Sequence, residues 1–447
     1  MTNGKTCLLC SLATLLILSL ESFLPHEVAS EPAFQMGLSS GPPPGKTDDD
    51  NSGENDYARF LAGMPTSGSA LGAFEKDPGW ISYVASINRS WENFEARQLR
   101  PMRQWVSQEL CAAGTATAIY PFSGPDFLNL YTLFPHAKTY ILVALEPVGV
   151  LPDFSTVDLP DYFADLQRCL WQYLYTDFFV TSRMAAQIAD TELRGVLPIL
   201  LFFMAREHAR VLDVRYLAMK PDGTLEERQA LNEGDPGPGI QGVRLVFAAA
   251  DSPEERTLYY FCFNLQNGSW ERNPQFASFL KSFGPLTTFT KSASYLLFSR
   301  YTSDLKQFIL DRSQYLLQDD SGIPLKDFDP VIWNLKFYGT YIGPINLFSS
   351  RYQPDLAKVY NTGKDVYPLP FGIGYQFRPG TSNLIFASKK QEYYRDDRRE
   401  SNETFSGHLA CRLDGRRSGG KNRQGGICTI TPIEHGEPAL AAAVATQ

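Results

Sequence analysis

The strongest constraint in this sequence is a change of period packed into residues 115–146. Thr115 to Phe122 is a β-branched and aromatic run, Ser123-Gly124-Pro125-Asp126 is a turn-forming loop, and a short helical stretch runs to Phe134. A second strand then spans Thr139 to Glu146. Two short apolar strands with one helix between them are the unit of a sheet covered by helices, because parallel neighbours need a crossover connection.

The flanking sequence sets the rest of the architecture. Trp80, Tyr83, Val84, Ile87, Trp91 and Phe94 lie on one face of a helix. Pro101 is expected to break that helix, with Met102, Trp105, Val106 and Leu110 carrying a second one. Asp158 opens a long helix whose buried face is Tyr162, Phe163, Leu166, Leu170, Tyr173 and Leu174. Residues 195–206 form a further helix, in which Pro198 is tolerable only near the first turn.

The second half is richer in strands. Residues 209–219 and 243–250 are strand-like around the Gly/Pro-rich loop 221–240. Val243, Leu245 and Phe247 alternate, as do Leu258, Tyr260 and Cys262. The turn Asp251-Ser252-Pro253-Glu254 makes the pair a hairpin. Asn273-Pro274 and Ser303 start two helices, and strands are expected at 313–318, 331–339, 371–377 and 383–388. The expected fold is α/β, a mixed sheet with flanking helices. Its first half is a degenerate Rossmann-like unit and its second half is rich in β-hairpins.

The ends of the chain read differently. Lys5 followed by the apolar stretch Cys7 to Leu20, with Val28-Ala29-Ser30 as a cleavage site, is the pattern of an export signal over 1–30. The stretch is short for a membrane span. Residues 31–56, with Gly41-Pro42-Pro43-Pro44-Gly45 and Asp48-Asp49-Asp50, form a disordered linker. Residues 389–447, basic and then Ala-rich, form a disordered tail. A single globular domain is left over 57–388. Residues 195–206, the most apolar part of the body, are too short to cross a bilayer, so no span is expected once the signal is removed.

Composition narrows the chemistry. A formal net charge of -8 over 447 residues argues against a nucleic-acid partner. Of the five His, only His136 and His208 fall in the body, and no His or Cys pair has metal-ligand spacing, so no metal site and no cofactor are expected. Cys111, Cys169 and Cys262 read as buried thiols, and Cys411 and Cys428 could pair in an oxidising compartment. Asn88, Asn267 and Asn402 stand in glycosylation sequons that matter only in a glycosylating host.

The candidate ligand-binding residues are Ser123, Gly124, Asp126 and Glu146. The strand-end acid Glu146 follows Gly124 at nearly the spacing of a ribose-binding carboxylate in Rossmann-type units, and Asp126 begins a helix. One glycine stands where that fingerprint needs three, and Pro125 removes an N–H donor. Asp126 also fits an ordinary N-cap. Two weaker clusters are Thr290-Lys291-Ser292-Ala293-Ser294-Tyr295 and Gln318-Asp319-Asp320-Ser321-Gly322. In the first, Lys291 could activate a serine only if buried with a lowered pKa; otherwise the segment is a loop leading into a helix. The second reads first as a solvent-facing turn. Tyr338-Gly339-Thr340-Tyr341 and Pro368-Leu369-Pro370-Phe371-Gly372 suit either sheet-end packing or a ligand groove.

The expected function is that of an exported soluble protein, periplasmic or extracellular. It would bind a small molecule or a cell-envelope partner without catalysis. The alternative is a hydrolase- or transferase-type enzyme at the loops near 123–126 and 146.

Overall fold

The computed structural model describes residues 53–66, 69–179, 193–228, 239–250, 252–391 and 393. The export signal, most of the linker, the tail beyond 393, Asn402, Cys411 and Cys428 lie outside them.

The sheet has eleven strands in the order β10-β9-β11-β8-β7-β1-β2-β6-β5-β3-β4. Its centre is parallel: β8 (Ser313–Gln318), β7 (Leu286–Thr290), β1 (Thr117–Pro121), β2 (Thr139–Ala144) and β6 (Glu255–Cys262). β1 and β7 are buried at every position, as strands covered on both faces must be. One flank is the antiparallel set β5 (Ile240–Ala248), β3 (Arg210–Met219) and β4 (Leu225–Arg228). On the other flank β11 (Asn383–Lys389) runs antiparallel to both β8 and β9 (Trp333–Gly339), and the two-residue β10 (Val366–Tyr367) closes the edge.

Strand parity divides the core. Ala118, Tyr120, Tyr140, Leu142, Phe289 and Leu317 face one side. That side is covered by α1 (Gly53–Leu61), α2 (Pro78–Phe94), α3 (Arg100–Glu109), α4 (Phe127–Leu133), α5 (Leu159–Thr176) and α6 (Leu197–Arg206). Ile119, Ile141, Val143, Leu286 and Leu316 face the other side. They meet α7 (Asn267–Arg272), α8 (Pro274–Lys281) and α9 (Ser303–Arg312). A small third cluster packs α10 (Pro354–Thr362) against Phe337 and Ile385.

From β1 the chain passes to the adjacent β2, then out to β3 and β4 at the far edge, and back through β5 and β6 before β7 is placed on the opposite side of β1. The connections leaving β1 and β7 therefore diverge at their carboxyl ends, the position at which open α/β sheets take ligands. Every residue of α6 is buried, so the most apolar segment is core. Among the described residues no helix is long and apolar enough to cross a membrane.

Several local expectations change. The break expected at Pro101 falls earlier: α2 ends at Phe94, Glu95–Leu99 widen into a π turn in which the Arg100 N–H bonds to the Glu95 carbonyl, and Pro101 sits in the first turn of α3. The wider turn relieves the clash a proline ring makes with the preceding turn of an α-helix. Residues 371–377 are not a strand. A Cβ at Gly372 would strike the Phe377 carbonyl oxygen, and Gly374 has φ +73°, so the segment folds back on itself. Thr290 is not in a loop but ends β7, and short 3-10 turns follow it.

At the boundaries, α1 begins at Gly53, with Asn55 and Asp56 buried, inside the segment that composition assigns to a linker. Lys389 is the last residue of β11 rather than the start of a tail. Cys169 is buried as expected, whereas Cys111 and Cys262 are half-buried. Asn88 accepts from Arg206, and Asn267 donates to the Arg300 carbonyl and to Ser303, so both sequon side chains serve the fold.

Candidate functional site

At the end of β1 the chain turns sharply. Phe122 and Gly124 both take positive φ, 62° and 55°. The turn aims Asp126 inward as the N-cap of α4, where Oδ1 accepts from the Asn129 N–H at 3.1 Å. The same carboxylate also accepts from Tyr173 OH at 2.6 Å and pairs with Lys291 Nζ at 3.1 Å. Lys291 Nζ lies 3.0 Å from Asp177 as well and bonds to its carbonyl oxygen. Asp177 caps the C-terminus of α5 in the left-handed region, φ 64°, and accepts from Asn129 Nδ2 at 2.9 Å. All these groups are buried.

Two acids and one cation leave a net negative charge in this clamp. Burial drives the Asp177 carboxyl up to about 6 against the pull of Lys291. Burial works to lower Lys291, but Asp126 and Asp177 outweigh it and raise its pKa. Lys291 is thus buried but remains protonated, the reverse of what activating a serine requires. The helix α5 and the π turn are tied in through Arg97, which donates to the Leu174 carbonyl at 2.7 Å. The neighbouring Gln98 reaches the Gly372 carbonyl.

A second polar group lies across β7. Directly after Lys291, three non-glycine residues take left-handed φ: Ser292 at 48°, Ser294 at 50° and Tyr295 at 52°. Each costs about 1 kcal/mol or more and persists only where the surroundings enforce it. Side chains from two other loops provide that enforcement. Asp319 Oδ2 accepts from the Ser292 N–H at 2.9 Å, Ser321 Oγ from the Ala293 N–H at 2.8 Å, and Tyr375 OH from the Ser294 N–H at 3.2 Å. Asp319 also accepts from the N–H and hydroxyl of Ser321, at 3.0 and 2.5 Å. Asp320 accepts from Tyr295 OH at 2.6 Å and Asn383 Nδ2 at 2.9 Å.

Asp319 and Asp320 do not face solvent; they are 2% and 5% exposed. No ion pair joins either of them to a described cation. Burial, reinforced by Asp320, lifts the Asp319 carboxyl up to about 7, and burial also raises Asp320. Gly374 is required beside them, since a Cβ there would lie 2.2 Å from Asp319 Oδ2. Three buried oxygens in this group have no hydrogen-bond partner: Thr290 Oγ1, Ser292 Oγ and Asn383 Oδ1. Tyr295, Phe348 and Tyr375 form an aromatic wall, with ring centroids 5.1 to 6.4 Å apart.

The four candidates from the β1–β2 unit separate. Asp126 joins the clamp. Ser123 is buried, and its hydroxyl donates to the Gly124 carbonyl at 2.8 Å. Glu146 is buried at the end of β2, where its carboxylate accepts from the Leu145 N–H and its carbonyl from Tyr260 OH. The residues that gather around Asp126 come from segments far along the chain. The sequence places Lys291 and Asp319 in unrelated loops, but both loops directly follow strands of one sheet, β7 and β8. His136 and His208 are exposed. Tyr338 and Phe371 pack edge-on against Trp105, the sheet-end role. Among the described residues, no group of three or more His, Cys, Asp or Glu could hold a metal ion. Comparison with protein-family models, with curated proteins and with solved structures finds no match to this chain.

Proposed function

We propose that this chain is an exported, non-catalytic protein that binds a small polar molecule at the carboxyl ends of β1, β7 and β8. One observation carries the reading. Loops after three parallel strands converge where the winding of the sheet reverses, and there they hold a strained, polar segment, 292–295, in place. Crevices at such reversals are where open α/β sheets take their ligands, and backbone strain collects at binding sites. The β1–β2 unit is then a Rossmann-like half whose glycine-rich loop has been reduced to the Ser123–Asp126 turn. Export rests on Lys5, the apolar run Cys7 to Leu20 and the small residues Val28-Ala29-Ser30.

The non-catalytic reading is supported by how two reactive groups are used. The Ser123 hydroxyl is committed to a backbone carbonyl, and Lys291 is fixed as a cation between two carboxylates. The competing reading, a hydrolase or transferase, draws on Asp319, whose carboxyl near 7 is poised to exchange a proton.

A thermal-shift screen of the full chain against anionic, neutral and cationic metabolites, with Asp320→Asn in parallel, tests the proposal. A compound should raise the melting temperature saturably, and the substitution should abolish the effect. A screen without hits, or hits indifferent to the substitution, refutes the site. Conversion of the bound compound on prolonged incubation would make the protein an enzyme, and recovery of the intact chain from the cytoplasm would refute export.

A further inference from the structure

Counting charges across the two polar groups gives four buried acids, Asp126, Asp177, Asp319 and Asp320, against one buried cation, Lys291. Lys291 lies within ion-pairing distance of the first two only. Among the described residues, the Asp319–Asp320 pair is compensated by hydrogen-bond donors but by no ion pair. Isolated buried carboxylates are costly, so such a pair is either protonated or neutralised by a bound cation.

The unpartnered atoms indicate the kind of cation. Thr290 is fully buried and Asn383 is 2% exposed, yet Thr290 Oγ1 and Asn383 Oδ1 have no partner. The Asn383 amide nitrogen is bonded to Asp320, which places its carbonyl oxygen at the edge of the acidic pair. A buried amide carbonyl without a donor is an open acceptor position, and it costs free energy until an N–H or O–H fills it. Each oxygen of both carboxylates, by contrast, already accepts a hydrogen bond. A bare divalent ion, which needs several close oxygen ligands, would have to strip those donors away. An ammonium group needs only acceptors. The rings of Tyr295, Phe348 and Tyr375 stand beside the pair, and aromatic faces attract organic cations. Ser294 is exposed, and Tyr375 and Phe348 are half-buried, so this wall is the side that reaches solvent.

We propose that Asp319, Asp320 and the Asn383 carbonyl form a recognition site for a small organic ammonium ion, walled by Tyr295, Phe348 and Tyr375. The inference rests on the ligand-binding reading above and adds the charge class of the ligand. The same site loses a proton when it fills, since the cation favours the ionised form of the acids.

The probes are n-butylammonium, n-butanol and butyrate, which share one chain and differ in charge, and Mg²⁺ or Ca²⁺ alone, all at constant ionic strength. Butylammonium should bind the full chain saturably by calorimetry and release protons at neutral pH. The release is read from the dependence of the heat on buffer ionisation. Asp320→Asn should weaken binding by about 100-fold, as loss of a buried charge partner does. The proton release is measured on the unsubstituted protein, so a variant that fails to fold leaves the test intact. Binding of butanol or butyrate as tightly as the amine, binding of the divalent ion in its place, or no proton release would overturn the inference. A neutral or anionic metabolite that binds in an Asp320-dependent way would preserve the ligand-binding reading and remove only the charge class. A screen with no ligand at all would remove both.

Discussion

The two polar groups flanking β7 are built from the same residue types and differ in one component. On the β1 side, Asp126 and Asp177 share Lys291, and their oxygens are met by Asn129 and Tyr173. On the β8 side, Asp319 and Asp320 have serine, tyrosine and asparagine donors but, among the described residues, no cation. The first group ties α4, the end of α5 and the end of β7 together, and one of its buried oxygens, Asn129 Oδ1, has no partner. The second leaves three such oxygens open, holds three left-handed residues in a row of four and sits beneath aromatic rings that reach the surface. A buried charge supplied with its own partner is a fastener, whereas one without a partner is suited to receive one.

The sharpest way to break this contrast is to make the two sides alike. Lys291→Met removes the cation and leaves two buried carboxylates facing each other. The expected loss is about 3–5 kcal/mol of folding stability, measured by urea denaturation at neutral pH. A loss below about 1 kcal/mol would mean that Lys291 fastens nothing.

The next effect is a dependence on pH, read on the other side. Asp319 titrates near 7 in the folded chain, against an ordinary value of 3.8. Because the folded value is raised, the native state binds the proton more tightly than the unfolded chain does. Its contribution is fully present below about pH 4 and is lost as pH rises through 7, at up to about 1.4 kcal/mol per pH unit. Asp319→Asn should therefore flatten the fall in stability between roughly pH 4 and 7 by a few kcal/mol. Parallel stability curves for the two proteins would show that Asp319 is ionised throughout.

The same contrast explains what could be read from the sequence. Periodicity located β1, β2, β3, β5, β6 and β8 and most of the helices that cover them, though not α1 or α7, because a buried strand or helix face repeats its apolar residues whatever its neighbours are. It missed β7, whose Leu286-Thr287-Thr288-Phe289-Thr290 is polar by composition although every residue is buried. Two of its threonines are at home there because their hydroxyls are taken up locally: Thr288 meets Ser313 at 2.7 Å, and Thr287 accepts from the Thr115 N–H at 2.8 Å. Without β7 the reversal of the sheet was invisible, and so was the adjacency of the Lys291 and Asp319 loops. Asp126 was legible because an N-cap is a local motif. Asp177 and Asn383 carried no local signal, since their roles depend on partners more than forty residues distant in each case.

The smallest effect separates the residue that looked most reactive from the site itself. Ser123 stands at the head of the turn after β1, where a nucleophile or a ligand-binding hydroxyl would be expected. Its Oγ instead donates to the carbonyl of the next residue, which holds the positive-φ turn at Gly124 in shape. Ser123→Ala removes one ordinary buried hydrogen bond, worth about 1 kcal/mol. The melting temperature should fall by a few degrees, while affinity for any ligand of the β8-side group stays within about twofold. If ligand affinity or turnover collapsed while the fold persisted, Ser123 would belong to the chemistry. The division between a fastened side and a receptive side would then have to be redrawn with β1 on the receptive side.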